Sequence, residues 1–169
     1  MAQLVLTVVG EDRVGLVEAL AERIAAHGGN WERSELAELA GAFAGIVLVS
    51  VPDDRATELT GAVQELEGML RVTTHAGSAP STGDEGRDLR FTVLGNDRPG
   101  IVRDVTAAIS SHALSIDGFH SRTLEAPMAG GTLFEADVEV RVPDDDAARR
   151  LTGALEQLAG EIQVDVTVA

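Results

Sequence analysis

Apolar positions change period along the first half of the chain in a way that marks a strand, a turn and a helix. Residues 3–9 alternate loosely and are dense in Val and Leu, the pattern of a largely buried strand. Leu16, Val17, Leu20 and Ile24 then recur at helical spacing, and His27-Gly28-Gly29 closes that helix. Residues 30–39 read as a second, partly polar strand with Trp31 near its start, and Gly41 marks the turn after it. Residues 42–51, centred on Ile46-Val47-Leu48-Val49, form a third strand. Pro52-Asp53-Asp54 stops it and offers carboxylates to cap a second helix, whose buried face is Leu59, Val63, Leu66 and Leu70. A strand over about 69–75 completes the order β-α-β-β-α-β.

The same order then repeats. Over Leu4–Glu32 against Leu89–Asp117, without gaps, ten of twenty-nine positions are identical: Leu4, Thr7, Val8, Gly10, Asp12, Arg13, Gly15, Val17, Ile24 and His27, each with its partner 85 residues on. Leu59-Thr60-Gly61-Ala62 recurs as Leu151-Thr152-Gly153-Ala154. The chain is an internal duplication. The second copy carries six extra residues between its second and third strands, around Ala126-Pro127-Met128-Ala129-Gly130-Gly131, which predicts a longer loop.

This pattern predicts an α+β protein of two ferredoxin-like βαββαβ domains, each a four-stranded antiparallel sheet with two helices on one face. The domains are expected at 1–76 and 89–169. Between them, 77–88 lacks apolar periodicity and is rich in Gly, Ser and acidic residues, so it reads as a linker.

Composition narrows the function. A formal net charge of -15 removes the positive field that nucleic-acid binding requires and argues equally against an anionic membrane surface. The 3% aromatic content without Tyr argues against an RNA-recognition module on this fold. No cysteine is present, so thiol catalysis, disulfides and cysteine-ligated metals are excluded. No apolar run reaches the roughly 18 residues of a spanning helix and no basic leader precedes the first strand, so a cytoplasmic location is expected.

The chemistry concentrates in the duplicated turn, Gly10-Glu11-Asp12-Arg13-Val14-Gly15 and Gly95-Asn96-Asp97-Arg98-Pro99-Gly100. Each copy presents a helix N-terminus at the end of a strand, a geometry suited to an anion. Glu11 and Asp12 would repel a phosphate, which disfavours acyl-phosphate chemistry despite Arg13 and Arg98.

Two copies of this Gly-x-Asp-Arg-(Pro)-Gly-(Ile/Leu)-Val turn in βαββαβ units resemble the ACT domain, a regulatory module that typically binds amino acids. The resemblance covers nearly the whole chain and implies no catalytic domain and no cofactor. Residues 89–143, with Ala-Pro-Met-Ala-Gly-Gly-Thr-Leu-Phe-Glu at 126–135, look like the second domain of the glycine cleavage system transcriptional repressor family. That similarity implies indirect transcriptional control through a LysR-type activator in response to glycine, and oligomers formed by pairing ACT sheets. The alternative is a structural interaction module that binds no metabolite.

An amino-acid zwitterion needs donors for its carboxylate and acceptors for its ammonium. The amides of Val14, Gly15 and Leu16 are candidate donors in the first copy; in the second, Gly100 and Ile101 remain because Pro99 has no N–H. Asp12 and the side-chain carbonyl of Asn30, which opens the second strand beside the turn, are candidate acceptors. The resemblance implies the same pair, usually across a domain interface, and carries it to Asp97 and Ser115 in the second copy. Ser115 and Val14 both depart from the family pattern, and the site with Asp12 and Asn30 is the favoured one. Competing structural roles stand beside these: Asp12 and Asp97 as helix caps, Arg13 and Arg98 as solvated or locally paired charges, Gly10 and Gly95 as backbone-geometry residues, and Asn30 as a turn residue. His27 and His112 read as helix C-terminal residues, His75 and His120 have no spaced metal-binding partner, Trp31 reads as core or interface, and Asp144-Asp145-Asp146 as a helix start.

Overall fold

The computed structural model describes residues 1–77, 86–126, 130–157 and 162–168. The chain divides into two compact units, Met1–Ser81 and Thr82–Ala169. The first contains β1 (Ala2–Glu11), α1 (Leu16–Ala26), β2 (Asn30–Leu39), β3 (Ala42–Val51), a short 3-10 turn (Asp53–Arg55), α2 (Ala56–Gln64) and β4 (Arg71–Ala76). The second contains β5 (Arg87–Asn96), α3 (Ile101–Ser111), β6 (Ile116–Glu125), β7 (Thr132–Val142), α4 (Asp145–Gln157) and β8 (Ile162–Val168). Each sheet is antiparallel, in the orders β2-β3-β1-β4 and β6-β7-β5-β8, so both units have the expected βαββαβ ferredoxin-like topology.

Alternation along the strands builds each core. In the first unit Leu4, Leu6 and Val8 of β1 and Val47, Val49 and Val51 of β3 point at the helices, where Leu16, Leu20, Ile24, Leu59 and Val63 meet them. In the second, Leu89, Phe91, Val93, Val138 and Val140 meet Ile101, Val105, Ile109, Leu151 and Leu155. Trp31 packs half-buried against the first core. Val17, expected on the buried face of α1, is exposed, because the stripe closes on Leu16, Leu20 and Ile24. Leu66 and Leu70 are buried as expected but lie beyond the end of α2, in the turn leading to β4.

Helix ends differ from expectation in one place. Asp53 and Asp54 do not cap α2: they sit in the 3-10 turn without a side-chain cap bond, and the Asp53 carboxylate meets the Met1 amino group at 2.9 Å. Asp144 does open α4, its Oδ1 accepting the Ala147 N–H at 2.7 Å. His27 and His112 are the C-terminal residues of α1 and α3, and His27 Nδ1 lies 2.8 Å from the Arg23 carbonyl. After His27, Gly28 N–H bonds the Ala25 carbonyl and Gly29 N–H the Ile24 carbonyl, both at 2.9 Å, with Gly28 at φ +73°. The second unit puts Ala113 at this left-handed position, φ +57°.

The long loop falls where expected. Asp12 N–H bonds the Gly41 carbonyl and Asp97 N–H the Thr132 carbonyl, points 29 residues apart in the first unit and 35 in the second. Residues 127–129 of that loop, and 78–85 of the stretch read as a linker, lie outside the described residues. Strand β5 begins at Arg87, two residues inside that stretch.

Candidate functional site

The duplicated turn joins β1 to α1 and β5 to α3, and its geometry explains its sequence. Gly15 has φ +91°, ψ 0° and Gly100 φ +90°, ψ 0°, the values of the third residue of a type II turn. Such a turn requires positive φ at its third position and favours Pro at its second, where Pro99 stands in one copy and Val14 in the other. In the second copy the closing bond is present, Ile101 N–H to the Arg98 carbonyl at 3.3 Å. A Cβ on Gly15 would meet nothing within 4 Å, so this glycine serves φ and not space.

Helical bonding starts only after the turn, with Ala19 N–H to the Gly15 carbonyl at 2.9 Å and Asp104 N–H to the Gly100 carbonyl at 3.0 Å. The amides before Ala19, those of Val14, Gly15 and Leu16 among them, therefore face the start of α1 as helix-end donors. Leu16 and Ile101 bury their side chains in the cores, so only their backbones could serve a ligand. The Ile101 amide is already engaged by Arg98, which leaves Gly100 as the expected donor of the second copy.

Asp12 and Asp97 do not cap their helices; Gly15 and Gly100 hold the cap positions with no side-chain cap bond. Asp12 is exposed, and its carboxylate has no hydrogen-bonding partner among the described residues. Arg13 donates to the Gly68 carbonyl, in the turn before β4, at 2.6 Å. Arg98 pairs with Asp104 at 2.8 Å, and Arg103 reaches the same carboxylate at 3.0 Å. Bonds from Arg98 and then Arg103 hold the Asp104 carboxyl below its ordinary pKa.

Asn30 is not beside the turn. It pairs with Ser50, which pairs with Gln3, whereas Asp12 follows Glu11 at the opposite end of β1. Nine residues separate Gln3 from Asp12, on the order of 30 Å along a strand. The reason is topological: β2 is antiparallel to β3 and β3 to β1, so β2 runs parallel to β1 and starts at the far end. The second unit repeats this, with Ile116, next to Ser115, level with Val140 and Leu89, far from Asp97. Ser115 instead borders a shallow groove between α3 and β6 with Arg103, Thr106 and Ser110.

Around Asn30 the structure adds a residue that the sequence reading missed. Strand β2 breaks register between Trp31 and Arg33, and at this bulge the Glu32 carboxylate accepts the Ser50 hydroxyl at 2.5 Å and the Asn30 amide at 3.4 Å. Asn30 thus keeps its carbonyl oxygen for an incoming donor. Strand β6 breaks register at the same point of the repeat, between Ile116 and Gly118, and Asp117 lies 3.4 Å from Arg141. The acid shared by Glu32 and Asp117 at the 85-residue offset was the available signal. Among the described residues no group of three or more His, Asp or Glu could hold a metal ion, and no helix is long and apolar enough to cross a membrane.

Residues 2–77 match the family model of the ACT domain. No match is found among curated proteins. Among solved structures, an unknown protein from Galdieria sulphuraria is similar over 99% of this chain and 98% of its own, with 29% identity and a TM-score of 0.83. A protein assigned as a glycine cleavage system transcriptional repressor is similar over 99% of this chain and 97% of its own, with a TM-score of 0.71 and 17% identity, a likeness of fold. ACT domains are amino-acid-binding regulatory modules. Residues 2–77 are thus an ACT domain, and the second unit repeats its topology, helix-start turn and bulge.

Proposed function

We propose that the chain is a regulatory protein, not an enzyme, that binds a small amino acid such as glycine at an interface between two ACT domains and acts on a protein partner. The observation that carries this is the approximately 30 Å between the two halves of the candidate site. The first turn offers helix-start amides for a carboxylate and the unpartnered Asp12 for an ammonium. Asn30, with its carbonyl free of the Glu32 contact, offers a second acceptor at the other end of the sheet. A ligand a few ångströms long touches both only when the turn of one domain meets the β2 start of another. Binding would then favour the assembled state by its differential affinity for it. The fold shared with a glycine cleavage system transcriptional repressor makes indirect control through a transcriptional activator the specific form of this proposal.

Calorimetric titration with glycine, serine and other amino acids, read alongside sedimentation with and without ligand, tests the proposal. Saturable heat accompanied by a change in assembly is expected. Absence of heat and of thermal shift with every amino acid would sink the ligand claim and leave the ligand-independent interaction module.

A further inference from the structure

Strand β2 and its repeat β6 each carry an acid at the bulge, and the two acids have different partners. In the first unit Glu32 has no residue of β3 level with it, since Trp31 pairs with Val49 and Arg33 with Leu48. Its Oε1 accepts the hydroxyl of Ser50, which is only 8% exposed, and the Asn30 amide. Its Oε2 has no partner among the described residues, and the neighbouring Arg33 is turned to Glu35. Both donors to Glu32 are neutral, so no cation among the described residues offsets its charge. In the second unit Asp117 lies 3.4 Å from Arg141. Arg141 stands where the first unit has Ser50: Ser50 is level with Gln3, and Arg141 with Asp88, 85 residues further on. One bulge acid is held by a hydroxyl and an amide, the other by a guanidinium.

Folding does not require the charge on Glu32. A buried hydroxyl needs one acceptor, and a neutral amide carbonyl serves as well as a carboxylate. The carboxylate also fixes the neighbouring amide. It can only accept, so the end of Asn30 that faces it is the NH2, and the carbonyl oxygen is left for another donor. Glu32 Oε2 and Asn30 Oδ1 are then two acceptors, one of them charged, on the exposed start of β2. An ammonium has three donors and no acceptor. These two oxygens and, from the turn of another domain, the Asp12 carboxylate match it donor for donor.

We infer that Glu32 is the charged acceptor for the ligand's ammonium at the start of β2, and that Arg141 cancels the same function at Asp117, so a chain with two helix-start turns binds one amino acid. The inference rests on the two-half-site reading given above, and adds to it the residue that tells an ammonium from a hydroxyl.

Calorimetry of the full chain with glycine and L-serine, and with glycolate, in which a hydroxyl replaces the ammonium of glycine, tests this. Glu32→Gln keeps a carbonyl for Ser50 and Asn30 but removes the charge. It is expected to weaken glycine and serine binding by about tenfold or more, and to leave glycolate within about twofold of wild type or undetectable in both. Asp117→Asn should leave all three affinities unchanged, and the wild-type chain should take up one amino acid. Thermal melting confirms that each variant is folded; should Glu32→Gln fail to fold, combining it with Ser50→Ala removes the buried hydroxyl that depends on it. Four results would overturn the inference while the two-half-site reading stands: glycine and serine affinities indifferent to Glu32→Gln, a parallel loss of glycolate as a merely structural role would give, an equal loss in Asp117→Asn, or two amino acids bound per chain. A wild-type chain that binds neither amino acid overturns both.

Discussion

Replacing Val14 with proline should stabilise the first unit. Val14 occupies the second position of a turn whose third residue, Gly15, has φ +91° and ψ 0°, matching Gly100 at φ +90° and ψ 0°, which Pro99 already precedes. The Val14 side chain is fully exposed and its amide has no acceptor among the described residues, so the substitution removes neither packing nor a hydrogen bond. What changes is the unfolded chain, which proline restricts; substitutions of this kind at compatible sites stabilise by about 0.4–1 kcal/mol. For a domain of 60–100 residues that corresponds to roughly 2–8 °C in midpoint. Differential scanning calorimetry reads the shift directly, and Gly15→Ala is the opposing control. It forces a Cβ into the left-handed region and should cost on the order of 1 kcal/mol. An unchanged or lowered midpoint for Val14→Pro would refute the type II assignment of the first turn. The same variant tests the site, because it deletes one candidate amide. If Gly15 and Leu16 supply the carboxylate donors, amino-acid affinity stays within about twofold; a tenfold loss, about 1.4 kcal/mol, assigns the Val14 N–H to the ligand.

Further outcomes follow from individual contacts. Asp12→Ala should weaken amino-acid binding by about tenfold or more, as expected for loss of a charged hydrogen-bond partner, and Ser115→Ala far less; equal losses in calorimetry would overturn the preference for the first copy. Ala113→Gly should stabilise the second unit by about 0.5–1 kcal/mol, since relief of the left-handed strain exceeds the added unfolded-state entropy, whereas Gly28→Ala should destabilise the first; urea denaturation compares them. Asp104, held below its ordinary value near 3.8 by Arg98 and Arg103, contributes stability above the unfolded pKa and loses it as pH falls through the lower folded value. Melting against pH should therefore show an acid-side decline that flattens in Asp104→Asn.

Much of the fold was legible because its determinants are local. Strands β2 and β3 fall on the expected residues, and the helix stripes of Leu16, Leu20 and Ile24, and of Leu59 and Val63, follow from a 3.6-residue period alone. The glycines marked the place of the duplicated turn, but that positive φ falls on Gly15 and Gly100, and not on Gly10 and Gly95, came from the structure. Strands β1 and β3 were read less well. They are apolar at both parities, which resembles a strand buried on two faces, yet Leu4, Leu6, Val8, Val47, Val49 and Val51 reach the core while Val9 and Ile46 stand on the open side. Periodicity cannot separate those cases when both faces are apolar. Which partners the arginines took was equally hidden: Arg98 reaches Asp104, one turn into α3, and Arg13 a carbonyl 55 residues away.

By itself the sequence determined the duplication, the βαββαβ order, the place of the duplicated turn and the exclusion of thiol chemistry, each fixed by residue identity within a few positions or by composition. Only the tertiary structure decided that Asp12 and Asn30 lie at opposite ends of one sheet, because that separation depends on the insertion of β3 between β1 and β2 and on the direction in which each strand runs. Strand order and register are set by pairing between distant segments, and it is this non-local pairing that turns one expected pocket into two half-sites that need a neighbour.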